Sequence, residues 1–215
     1  MKSKILGLLA LGMLSSAAYA DVITLDFEGV GSQAAILDFY NGGTDSVGNS
    51  GTNYGVAFGP NALGLKESDP SANFALPPSA ETAMFFLTGT AILNYAPGFN
   101  TGFSFYYSTV SFAGSVDVFD GLDATGNLLG TIELAALGVG PSPGNPFSNW
   151  EIGSLAFDGV ARSINFGGTV NQVGYDNITF GSEIPGGGTD VPEPTSLALL
   201  GLGLAGLGLG RRRKA

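Results

Sequence analysis

The chain has 215 residues with 18 acidic and 8 basic side chains, and it contains neither cysteine nor histidine. The acidic excess repels phosphate backbones, so we expect no nucleic-acid partner. The missing residue types exclude a disulfide framework, the usual zinc ligands and histidine-dependent catalytic triads. Only Lys66 and Arg162 are basic between residues 21 and 190, which hold 17 of the acids.

Residues 1–20 have the three parts of a secretory signal peptide. Lys2 and Lys4 precede an apolar run from Ile5 to Leu14, and Ala18-x-Ala20 ends the segment. This pattern predicts a signal helix that signal peptidase removes after Ala20. The alternative is a buried N-terminal helix. The apolar run is too short to cross a bilayer comfortably.

Residues 21–181 predict a single all-β domain. Glycine is frequent, charge is sparse, and short alternating runs recur about every ten residues, which is typical of an antiparallel β-sandwich of the jelly-roll type. Residues 33–40 fit a strand or a short helix. The predicted strands are Val22–Phe27, Tyr54–Phe58, Ala83–Leu87, Ala91–Tyr95, Gly102–Tyr107, Ser115–Phe119, Leu128–Leu134, Trp150–Phe157, Ser163–Phe166 and Tyr175–Phe180.

Turn-forming residues divide this domain and end it. Residues 120–127 are rich in Asp, Gly and Asn and predict a hairpin turn. Residues 138–149 predict a long Pro/Gly/Ser loop, and residues 182–190 a flexible linker.

The last 25 residues have three parts in a fixed order. Val191, Pro192, Glu193 and Pro194 cannot continue a helix or strand, since two prolines fix φ and remove donors. Residues 195–210 form an uncharged Leu/Gly/Ala run that predicts a hydrophobic helix. The basic end, residues 211–214, is expected to stay on the cytoplasmic side of a membrane. It consists of Arg211, Arg212, Arg213 and Lys214.

This tail, residues 191–215, resembles the PEP-CTERM sorting signal. The resemblance implies that an exosortase recognises the Pro-Glu-Pro element and that the membrane holds the tail before processing. It also implies a Gram-negative-type bacterium that makes extracellular polysaccharide. The protein would then pass through the inner membrane to the cell surface or extracellular matrix. The alternative is an ordinary tail anchor.

The body resembles the β-sandwich domains often found before such tails, which are similar to carbohydrate-binding jelly rolls. The resemblance rests on residues 26–28, 39–43, 53–58 and 175–180. It implies that the first and last strands pair and that a structural Ca²⁺ lies between them. The expected ligands are Asp26, Glu28 and Asp176, where Asp176 shares the alternation phase of the apolar Ile178 and Phe180. Alternatively, these acids cap turns or face solvent.

Three aromatic residues are candidates for binding sugar rings. Tyr106 lies out of phase with its apolar neighbours and is expected to be exposed, and Trp150 and Tyr54 complete the set. Aromatic side chains also dominate sandwich cores, so packing is the alternative for each.

These features predict a non-catalytic exported protein associated with exopolysaccharide or a biofilm matrix, with glycan binding as its activity. No histidine, cysteine or catalytic motif favours an enzyme. Two alternatives stay open. One is a carbohydrate-active enzyme, a lyase or glycosidase with paired carboxylates. The other is a purely structural surface component.

Overall fold

The computed structural model describes residues 22–187, and in this part of the chain the secondary structure is entirely β. Short alternating sequences between glycine, asparagine and proline form eleven strands. They are β1 (Ile23–Leu25), β2 (Val56–Phe58), β3 (Leu63–Lys66), β4 (Thr82–Phe85), β5 (Ala91–Phe99), β6 (Phe103–Thr109), β7 (Gly114–Phe119), β8 (Leu128–Leu134), β9 (Glu151–Leu155), β10 (Ala161–Phe166) and β11 (Val173–Phe180).

The strands form two sheets that face each other. One has the order β3-β4-β11-β6-β9, with β1 also pairing with β11, and the other has the order β2-β5-β10-β7-β8. All strand pairs are antiparallel. From β4 onward the chain changes sheet at every connection except β7–β8. The predicted fold class, an antiparallel β-sandwich resembling a jelly roll, is confirmed.

The core lies between the sheets and is filled by the alternate residues of each strand. On β6, Phe103, Phe105 and Tyr107 are buried in the core, as their period of two predicts. Phe105 contacts Phe166 from the opposite sheet edge-to-face at 5.9 Å between ring centroids. These interlocked rings couple the two sheets.

Two parts of the fold differ from the sequence prediction. Strand β3 was not predicted, because its four residues include a glycine and show no alternation. It is the last strand of its sheet and pairs with β4, and its Leu63 also forms an isolated bridge with Ala35. Residues 33–40 are neither strand nor helix. They form turns in which Gln33 and Leu37 have positive φ angles of 58° and 49°, and such angles interrupt a regular element.

The predicted hairpin at residues 120–127 is confirmed between β7 and β8. Asp120 closes it, because its carboxylate accepts hydrogen bonds from the backbone N–H (2.7 Å) and the side-chain amide (2.8 Å) of Asn127. Residues 138–149 form the predicted loop between β8 and β9.

The chain after β11 folds back against the six-stranded sheet. Ser104 Oγ donates to the carbonyl of Ser182 at 2.9 Å, and the backbone N–H of Gly186 donates to Thr179 Oγ1 at 2.9 Å. The hydrogen-bonded body therefore extends past the boundary at residue 181 that the sequence predicted. The predicted signal peptide (1–20), hydrophobic segment (195–210) and basic end (211–214) lie outside the described residues. Within residues 22–187, no helix could cross a membrane.

Phe105 and Tyr106 are neighbours on β6, and substituting each of them tests which face of the sheet its side chain occupies. We expect Phe105→Ala to lower the free energy of unfolding by about 3–5 kcal/mol, since it leaves a cavity between the sheets. Tyr106→Ala, on the outer face, should cost less than half as much. Urea unfolding of both variants measures the difference, and equal losses would contradict this phase assignment.

Candidate functional site

The last strand, β11, carries an irregularity that decides where its polar residues point. Its pairing register with β6 shifts between Asp176 and Thr179, and Asn177 has a positive φ of 48°. Tyr175 and Ile178 therefore both lie in the core, while Asp176 lies on the outer face of the sheet. The expected phase of Asp176, shared with Ile178 and Phe180, is wrong because this bulge reverses it.

Asp176 is nevertheless fully buried, since the segment before β4 covers it. One carboxylate oxygen accepts from the backbone N–H of Ser79 at 2.7 Å. The other accepts from the backbone N–H of the next residue, Asn177, also at 2.7 Å. Burial raises the pKa of Asp176 to about 7, and the nearby charge of Glu28 adds to this increase. Asp176 therefore titrates close to neutral pH.

Glu28 binds the same covering segment from the opposite side. Its Oε1 accepts from Ser79 Oγ at 3.1 Å and from the backbone N–H groups of Glu81 and Thr82 at 2.9 Å each. Ser79 thus joins the end of the first strand to the last strand. Two of the three expected calcium ligands, Glu28 and Asp176, therefore bind the same serine.

Asp26, the third expected calcium ligand, makes different contacts. Strand β1 ends at Leu25, and Phe27 has a positive φ of 61°, so the alternation that should align Asp26 with Glu28 is lost. Asp26 is exposed, and its carboxylate accepts from the hydroxyl of Tyr40 at 3.3 Å.

The carboxylates do not fit a calcium site as they stand. Within residues 22–187 no three acidic side chains approach closely enough to share a metal ion. The oxygens of Glu28 and Asp176 face N–H and O–H donors, whereas Ca²⁺ requires six to eight oxygen ligands. Structural calcium stays a sequence prediction.

Removal of metal ions with EDTA tests whether a structural Ca²⁺ contributes to stability. We expect the thermal midpoint to be the same in EDTA and in millimolar CaCl₂, because hydrogen bonds already satisfy Glu28 and Asp176. Differential scanning calorimetry measures it. A midpoint that rises with Ca²⁺ concentration would support a cation site after all.

The buried Asp176 also predicts how stability depends on pH. Its folded-state pKa lies above the unfolded value of about 3.9, so between about pH 4 and pH 7 the folded protein holds a proton that the unfolded chain has released. The free energy of unfolding should therefore fall as pH rises through this window and level off above it. Carboxylates with a lowered pKa, such as Asp69 and Asp120, change the free energy of unfolding with pH only below this window.

Urea unfolding at a series of pH values measures this profile. Asp176→Asn removes the titrating group and should flatten the profile between pH 4 and pH 7. Glu133→Gln, an exposed position on β8, is the control and should leave the slope unchanged. Wild-type stability that increases across the window would contradict the assignment.

Two of the predicted glycan-binding residues lie on the outer face of the six-stranded sheet. Tyr106 is half-buried and pairs with Asp176 on one side and the exposed Ile152 on the other. Trp150 lies over Gly174, and its indole N–H donates to the carbonyl of Ala75 at 3.0 Å.

Trp150 takes part in a small second core on this face. It contacts Phe74 edge-to-face at 6.3 Å and lines a recess of about 40 Å³. Such a recess holds only a few water-sized groups. The structure therefore gives Trp150 a packing role between two loops, which was the alternative in the sequence analysis.

The third predicted residue, Tyr54, lines a larger cleft at the opposite edge. It lies just before β2, whose Val56 pairs with Tyr95 of β5. Tyr54 stacks on Tyr40 with 6.1 Å between centroids, and Tyr95 stacks on Phe180 at 5.6 Å. The cleft between them has a volume of about 370 Å³. It is lined by Val22, Ile23, Tyr54, Tyr95, Gly98, Phe99, Phe180 and Gly181.

This cleft differs chemically from the rest of the acidic surface. Its lining contains no charged side chain, and within the described residues neither Tyr54 nor Tyr95 hydroxyl has a hydrogen-bond partner. The cleft thus combines two tyrosine side chains with an otherwise uncharged lining. The size lies in the range of small-molecule sites, roughly 300–1,000 Å³.

Sequence reasoning found Tyr54 but missed Tyr95. Tyr95 shares the phase of Ala91 and Leu93, which lie in the core, so alternation indicates a buried residue. The available signal was Pro97-Gly98, two residues further along the chain, which marks the approach to the end of the sandwich. There the core opens to solvent.

The fold and cleft define a β-sandwich protein with an uncharged aromatic cleft between its sheets. Residues 190–214 match the PEP-CTERM protein-sorting motif. The chain is therefore an exported protein that carries an exosortase sorting signal behind a β-sandwich body, as the sequence predicted. A search of curated proteins found no match.

Several solved structures are similar to part of this chain. A glycoside hydrolase family 43 arabinoxylan arabinofuranohydrolase from Bacillus subtilis has 17% identity and a TM-score of 0.37, over 58% of this chain and 25% of that chain. CsCBM6-3 from Clostridium stercorarium, in complex with cellobiose, has 16% identity and a TM-score of 0.34, over 54% and 90%. The catalytic domain of a GH87 alpha-1,3-glucanase has 14% identity and a TM-score of 0.39, over 78% and 31%. This chain thus spans about a quarter to a third of the two enzymes' lengths, and similarity at this level assigns it no activity.

Proposed function

We propose that this chain is a non-catalytic surface or matrix protein that binds neutral extracellular polysaccharide in the cleft between Tyr54 and Tyr95. The observation that carries the proposal is the cleft itself: about 370 Å³, aromatic and without charge, on a chain of net charge −10. The PEP-CTERM motif supports an extracellular location, where such polymers occur.

The chemistry of the lining favours a sugar over other ligands. The apolar faces of sugar rings pack on aromatic rings, and tyrosine hydroxyls can donate to and accept from sugar hydroxyls. The acidic surface around the cleft repels polyanions. We therefore expect neutral polymers to bind more tightly than uronic-acid polymers, with the difference decreasing at high salt.

A binding role is also favoured over glycoside hydrolysis by the side chains present. Hydrolysis requires two carboxyl groups about 5–10 Å apart across the bond. No carboxylate lines the Tyr54–Tyr95 cleft, and Asp158 supplies the one carboxylate among the residues that line the recess around Asn100. Both statements concern residues 22–187.

Substitution of Tyr54 tests the proposal. We expect Tyr54→Ala to weaken binding of neutral polysaccharide by roughly two- to tenfold, the effect of losing one aromatic contact. Isothermal titration calorimetry with polysaccharide purified from the producing bacterium, and with neutral and uronic-acid oligosaccharides, measures the affinity.

Tyr106→Ala is the matched control, because it removes the same type of side chain from the outer face of the six-stranded sheet, outside the cleft lining. It should leave the affinity unchanged. Equal weakening by both substitutions would place the binding surface elsewhere. No binding of any polysaccharide by the wild-type protein would overturn the glycan proposal.

A further inference from the structure

The described chain ends beside the Tyr54–Tyr95 cleft. After β11 it turns back, held by the hydrogen bonds of Ser182 and Gly186, and reaches Gly187. A Cβ atom at Gly187 would lie only 2.6 Å from Cγ1 of Val22, and Val22 lines the cleft. Gly187, the last described residue, therefore lies at the cleft rim.

The sorting motif is close enough to reach the cleft. Val191 comes four residues after Gly187, which allows a distance of at most about 14 Å, and Pro194 can lie up to about 25 Å away. With so short a connection, binding is intramolecular, and the effective concentration of the motif is in the millimolar range. Even a weak contact is then substantially populated.

The chemistry of the motif fits the cleft. Pro192 and Pro194 favour the polyproline II conformation, which loses little entropy on binding and packs on aromatic-lined grooves. Tyr54 and Tyr95 provide such a groove, and their hydroxyls can donate to the backbone carbonyls of an extended segment. The lining has no carboxylate to repel Glu193 directly.

We propose that the Tyr54–Tyr95 cleft binds the chain's own Val191–Pro194 segment, so that the body and the exosortase compete for the sorting motif. The inference goes beyond the proposed function, since it holds whether or not the cleft also binds a polysaccharide. If both occupants use the cleft, a bound glycan releases the motif, and sorting becomes sensitive to the polymer outside the membrane.

Photocrosslinking in the mature full chain tests this contact. We place benzoylphenylalanine at position 191, reconstitute the protein in lipid nanodiscs, irradiate it, and map the products by mass spectrometry. We expect intramolecular products at monomer mass that join position 191 to peptides containing Tyr54 or Tyr95. Products at twice the monomer mass, or products spread over the whole surface, would overturn the proposal.

Three variants sharpen the result. Tyr54→Ala should reduce the cleft product several-fold, and so should Pro192→Ala combined with Pro194→Ala. Phe112→Ala, which removes an exposed ring outside the cleft lining, is the control and should change nothing. A cleft product that survives the first two substitutions would show that proximity alone causes it, and this outcome would also overturn the proposal.

Added oligosaccharide separates this inference from the proposed function. If crosslinking maps to the cleft but no glycan binds, the tail contact stands and the glycan proposal fails. If glycans bind at Tyr54 but no cleft product forms, the glycan proposal stands and the tail contact fails. If both hold, saturating oligosaccharide should reduce the crosslink, and an unchanged yield would contradict a shared cleft.

Discussion

The last strand of the sandwich is the element on which the remaining structure depends. β11 pairs with β6 along one edge and with both β1 and β4 along the other, so it joins the two ends of the domain at the centre of one sheet. Its bulge at Asn177 places Tyr175 and Ile178 inside and turns Asp176 outward. Without this local reversal, a carboxylate would lie in the apolar core, where an unpaired charge is very costly.

The acidic composition limits how this protein can satisfy its buried polar groups. Residues 21–190 contain only two basic side chains; Lys66 lies 3.6 Å from Glu81, and Arg162 donates to the backbone carbonyl of Asp120. The carboxylates of Glu28 and Asp176 are therefore held by backbone N–H and hydroxyl donors. Ser79 serves both Glu28 and Asp176 in this way, which connects the first and last strands without an ion pair.

The location of the cleft links the body to its sorting signal. Val22, Phe180 and Gly181 line the cleft, and they flank the points where the domain begins and ends. The same end of the sandwich therefore holds the aromatic surface and leads to residues 190–214.

The sequence by itself determined the strand alternation, the 120–127 hairpin and the tail motif, because these depend on residue type and local spacing. It also paired Glu28 with Asp176 through a resemblance. Only the tertiary structure decided the phase of Asp176 and the loss of alternation at Phe27, since positive φ angles at Asn177 and Phe27 interrupt the regular alternation of side chains. It also decided that Tyr95 lines the cleft. Trp150 and Tyr54 look equivalent in sequence, and they differ because loops cover one while the sandwich opens beside the other.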